Sequence, residues 1–110
     1  MQSQLSHIDQ MGGVALDGFQ RSVREQDVAE RAAAVLEGAL FNIFTYASLL
    51  AREVEDLDEV AEVWRHMEVV CDRFSEALSG LKDHCPGCNI SHDRVLDLRA
   101  KCGRLMAMHA

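Results

Sequence analysis

The residues able to do chemistry in this chain are four cysteines and five histidines, and the cysteines are placed with a regularity that demands an explanation. Cys71 and Cys102 lie equally far from the midpoint of Pro86-Gly87, and so do Cys85 and Cys88. An antiparallel helical hairpin turning at Pro-Gly brings such a pattern into register. Cys71 then faces Cys102 across two helices, while Cys85-Pro86-Gly87-Cys88 occupies the turn. Fourteen residues of helix separate Cys71 from Cys85, a distance of ~21 Å at 1.5 Å per residue, so a single tetrahedral four-cysteine zinc site is ruled out. The thiols must act as two pairs.

At the turn, Cys85, Cys88 and His92 form a candidate zinc set if His84 or a histidine of another chain completes it; the plainer alternative is a capped hairpin turn whose thiols pack or oxidise incidentally. A thioredoxin-type redox role fits less well, because such a pair opens a helix whose dipole acidifies the first thiol, and here Cys85 closes one. Cys71 and Cys102 are a candidate thiol pair in a core layer, where cysteine behaves as a small apolar residue. His66 falls on the outer face of its helix, where a phosphorelay bundle carries its histidine. The flanks Trp64-Arg65 and Met67-Glu68 lack the small or glycine-rich pattern expected beside such a residue, and Glu62 one turn before it reads as a local hydrogen-bonding partner. The chain shows no Ser-His-Asp order, phosphate loop or inward Glu-x-x-His pair, and it is read as non-enzymatic.

The elements that position these residues are helical throughout. The chain has 110 residues, one proline and an abundance of Ala, Leu, Glu and Arg, which together predict one all-α domain. Apolar residues at alternating spacings of three and four run through Leu57, Val60, Trp64, Met67, Cys71, Phe74, Leu78, Leu81 and Cys85, and again through Val95, Leu98, Cys102, Leu105 and His109. These are two facing helices of a hairpin, the later one starting near Asn89 or Ser91. Basic residues of that later helix alternate with Asp93 and Asp97, and Asp72 is expected to face Lys101 across the hairpin, so its charges pair within the bundle.

Ahead of the hairpin, Ser22 and Glu25 have the form of a capping box and open a long helix running to about Glu55. Two readings are open at its end. Asp56 with Glu59 can cap a new helix after a short turn, which is preferred because bundle connections are short; or a single helix of about sixty residues crosses the phase slip at Leu57 as a stammer. Residues 1–21 carry apolar positions interrupted by Gly12, Gly13 and Gly18, each costing about 1 kcal/mol inside a helix. They are read as a mobile or broken-helix arm preceding a bundle domain over 22–110. The predicted fold is therefore a three-helix up-down bundle, a long helix plus an antiparallel hairpin, completed as a dimeric bundle.

Dimerisation is expected because the long helix is apolar on nearly every side. From Ala32 to Ala51 only Glu37 is charged, and one hairpin cannot cover all of it. The expected interface is Val35, Ala39, Phe41, Phe44, Tyr46 and Leu49. Twenty such residues also match the ~30 Å bilayer core, but Glu37 and Asn42 inside the span oppose a membrane reading. A net charge of −7 opposes binding to nucleic acid. The first twenty residues lack the pattern of a secretory signal, giving a cytoplasmic expectation with reduced thiols. The functional expectation is a helical protein–protein interaction module, adaptor, chaperone-like or regulatory, that forms a homodimer and needs no cofactor. The alternative is a thiol- or zinc-dependent switch at Cys85/Cys88, with a histidine phosphotransfer bundle ranked below it.

Overall fold

The computed structural model describes residues 1–24, 29–81, 83 and 86–108. Four helices follow one another: α1 (Gln2–Arg24), α2 (Ala29–Glu53), α3 (Leu57–Ser79) and α4 (Pro86–Met108). The all-helical expectation holds, but the three-helix bundle is corrected to four separate helices.

The missing helix is α1, which runs unbroken through Gly12, Gly13 and Gly18. Its glycines cost about 3 kcal/mol together in propensity. Against that, α1 buries Leu5, Ile8, Leu16 and Phe19 in the common core, and each large apolar side chain contributes about 1.5–3 kcal/mol. Packing wins. Gly12 serves that packing directly, since a Cβ there would lie 3.3 Å from Val70 Cγ1, and its absence lets α1 settle closely on α3. Ser22 belongs to the end of α1 rather than to the start of the next helix; its expected capping partner Glu25 lies outside the described residues.

The break between α2 and α3 follows the expected turn. Asp56 is the N-cap of α3, and its side chain accepts a hydrogen bond of 2.9 Å from the Asp58 amide, satisfying a donor that the helix leaves unpaired. At the other end of the molecule α3 stops at Ser79, with Gly80 as its C-cap. Pro86 is already the first residue of α4, a position where its fixed φ suits a helix and its missing N–H costs nothing. The chain thus reverses before Pro86-Gly87 instead of on it, and α4 begins three residues earlier than Asn89. Gly87 leaves room for the exposed side chain of Glu30, which lies over it.

α1 and α2 form one antiparallel hairpin, with His7 against Tyr46, and α3 and α4 form a second. The hairpins stack so that like elements run side by side in the same direction. Asp9 on α1 bonds to His66 on α3, and Arg94 on α4 bonds to Glu37 on α2, both across 57 positions of sequence. α2 and α3 each touch all three other helices, whereas α1 and α4 do not touch among the described residues. The section is a rhombus with α2 and α3 across its short diagonal. By length and composition α2 is also apolar enough to cross a bilayer; here it lines the core with Leu36, Leu40, Ile43, Ala47 and Leu50.

Candidate functional site

The hairpin register predicted from the cysteines is present in α3 and α4. Cys71 and Cys102 are both fully buried free thiols in hydrogen-bonding contact with each other. That hydrogen bond, with burial added, pushes the Cys71 thiol far above its ordinary range. The same bond draws Cys102 downward against the cost of burial. The two sulfurs share one core layer and are shielded from solvent reagents.

Just outside this layer lies an ion cluster that joins the two helices. Arg99 donates from Nε to Asp72 Oδ1 at 2.8 Å and pairs through Nη1 with Glu68 Oε2. The hydrogen bond to Asp72 is the main reason its guanidinium is held above the usual range. Glu68 is only 12% exposed, and its second carboxylate oxygen is buried with no hydrogen-bond partner among the described residues. Arg99 takes the place expected for Lys101 opposite Asp72; α4 instead turns Lys101 toward α2, where its ammonium lies 5.3 Å from the centre of the Phe44 ring. The general expectation of charges paired within the bundle holds for Arg94 and Arg99.

The candidate zinc residues stand at the head of α4. Cys88 is buried and disulfide-bonded, contrary to the expectation of reduced thiols, and a sulfur in that state is not a thiolate ligand. His92 is partly exposed one turn further along. Cys85 and His84 lie outside the described residues, as does His109 at the end of the later heptad run. Among those described, no group of three or more His, Cys, Asp or Glu is placed to hold a metal ion.

Of the six residues expected at a dimer interface, three are exposed and three are used within the chain. Phe44 packs on Trp64, with ring centroids 5.5 Å apart, and Tyr46 meets His7 edge-on at 5.0 Å. Ala39 lines the cleft between α1 and α2, a space of about 440 Å³ that Met11, Val14 and Ile43 also border. Val35, Phe41 and Leu49 stand out of the molecule at 66%, 49% and 52% exposure, and Val14 of α1 stands beside them at 71%. These belong to one strip on α2. Between Arg31 and Arg52 its exposed residues are Ala34, Val35, Gly38, Phe41, Asn42, Thr45 and Leu49, none of which carries a charge. From Ala34 to Leu49 the strip is about 22 Å long at 1.5 Å per residue. Glu37, the one acid in the span, turns aside to Arg94 and keeps only 12% exposure.

His66 differs from its sequence reading. The heptad count places it on an outer face, but α1 lies against that face and leaves the side chain 28% exposed. Asp9 of α1 meets its Nδ1 at 3.2 Å. This partner is hidden in the sequence because residues 1–21 read as an arm; the signal that could have found it is the spacing of Leu5, Ile8, Gly12, Leu16 and Phe19, with Gly12 counted as a packing residue. No protein-family model matches the chain, and comparisons with curated proteins and with solved structures return no match.

Proposed function

We propose that this protein is a non-enzymatic helical interaction module that assembles through the α1/α2 face, with a second copy of the chain as its first partner. The observation that carries the reading is the charge-free exposed strip on α2. A chain with 29 charged residues among 110, the sum of 11 basic and 18 acidic, spreads charge over most of its surface. A strip about 22 Å long without any charge is where water is most easily displaced, and charge depletion with exposed aromatic and aliphatic residues marks the centre of protein interfaces. Self-association fits because an isologous contact lays the same neutral strip on itself and buries no charge.

Sedimentation equilibrium at micromolar concentration tests the reading. The expected result is a dimer that Val35→Asp or Leu49→Asp converts to a monomer with unchanged helix content. A monomer for the unmodified protein overturns it. The disulfide at Cys88 favours a second reading, in which thiol redox state at the head of α4 governs assembly. The same experiment with a phosphine reductant separates the two, because only the switch predicts a mass that changes on reduction.

A further inference from the structure

The cluster around His66 uses a different part of the surface from the proposed interface. Between α1 and α3 lies a cavity of about 380 Å³ lined by Asp9, Arg65, His66, Val69 and Arg73. An ionised carboxylate can only accept, so the 3.2 Å contact between Asp9 Oδ1 and His66 Nδ1 places the ring proton on Nδ1. Nε2 then carries the lone pair. Glu62 Oε2 lies 3.9 Å from it, beyond hydrogen-bond reach, and Glu62 is itself engaged through Oε1 by Arg65.

Arg65, Val69 and Arg73 follow one another at successive turns of α3 and set two guanidiniums along the cavity. Arg73 has no ion-pair partner among the described residues. Guanidinium forks match the oxygens of a phosphoryl group. The other described histidines lack this environment: His7 leans edge-on against Tyr46, and neither His7 nor His92 has a carboxylate on a ring nitrogen among the described residues.

From this arrangement we infer that His66 is a phosphoryl acceptor, taking the group on Nε2 from a donor with a phosphorus–nitrogen bond, either a small phosphoramidate or a phosphohistidine of another protein. The Nε2 lone pair forms the new bond to phosphorus as the donor's phosphorus–nitrogen bond breaks. The electron pair of that bond leaves with the amine, which is ammonia when the donor is phosphoramidate. The imidazole becomes a cation that keeps its Nδ1 proton, and the Asp9 carboxylate stabilises the new positive charge while Arg65 and Arg73 hold the phosphoryl oxygens.

The probe is potassium phosphoramidate added to the folded, full-length protein, with sites located by mass spectrometry and the ring position assigned by phosphorus and proton NMR. The expected result is one phosphoryl group at Nε2 of His66, added about tenfold faster than at His7 or His92 in the same sample, the effect of one favourable electrostatic contact worth 1.4 kcal/mol. Asp9→Asn and Arg73→Gln each lower the His66 rate alone, by about three- to tenfold, and leave His7 and His92 unchanged. In urea the preference disappears. Equal rates at all three histidines in the folded protein, a product on Nδ1, or an Asp9→Asn protein that reacts like the parent would overturn the assignment. Retained far-UV circular dichroism establishes that each variant is folded.

Discussion

Replacing Arg99 with methionine isolates the ion cluster that ties α3 to α4. The substitution removes two interactions of unequal worth. The bond to Asp72 involves a carboxylate that is 59% exposed, and such a surface pair contributes about 0–1 kcal/mol. The pair with Glu68 is different, because that side chain is 12% exposed and already carries one unpartnered oxygen. Stripping a buried carboxylate of its counter-charge costs about 3–5 kcal/mol when both groups are buried. Arg99 itself is 34% exposed, so water shares in its interaction and the figure is discounted to about 2 kcal/mol. Urea unfolding followed by circular dichroism at neutral pH should therefore show Arg99→Met less stable by about 2–3 kcal/mol. The Glu68→Leu/Arg99→Met double variant should recover to within about 1 kcal/mol of the parent, because an apolar pair of similar volume needs no counter-ion. A loss below about 0.5 kcal/mol in the single variant, or a double variant no better than the single, would refute the reasoning.

Other outcomes follow from the same contacts. Above pH 9 the unfolded chain releases both core thiol protons, Cys71 having an ordinary value of 9.0, while the folded pair retains at least the proton on Cys71. Because the folded state then binds more protons, stability should fall as pH rises through and beyond that value, by up to ~1.4 kcal/mol per pH unit. The Cys71→Ala/Cys102→Ala double variant, which leaves no titrating thiol in that layer, should flatten this slope in urea titrations between pH 9 and 10, whereas Cys71→Ala alone should keep it, because burial then raises Cys102. A methyl group at Gly13 would meet nothing within 4 Å, so Gly13→Ala should gain about 0.5–1 kcal/mol in thermal unfolding from helix propensity alone. Gly12→Val should lose stability by about 1–3 kcal/mol, since its branches meet Val70 and Phe74.

The parts of this fold legible in sequence are those where one physical signal acts alone. The opposition of Cys71 and Cys102 follows from helical periodicity on both arms of the hairpin, and the stop before Leu57 follows from a capping aspartate at position 56. The reading fails where two signals compete. In α1, glycine reads as a helix breaker by propensity, but at Gly12 the same residue is a packing surface for Val70, and the tertiary contact prevails. The error spreads from there, leaving His66 without Asp9 and the bundle one helix short. At the other turn, Pro86-Gly87 reads as a bend when proline is equally suited to the first turn of a helix. Of the expected interface, the exposed members could be assigned from α2 alone, but Phe44 and Tyr46 could not, because their fates depend on Trp64 and His7 in other helices.

The rhombic section has a consequence for how the molecule comes apart. With α1 and α4 at opposite far corners and out of touch, the amino-terminal helix can lift away without disturbing the sulfur layer between the last two. Such an opening is a partial event of lower free energy than global unfolding. It would bare a furrow floored by Val70 and Phe74, a transient hydrophobic mouth on a molecule whose resting exterior keeps both residues sealed.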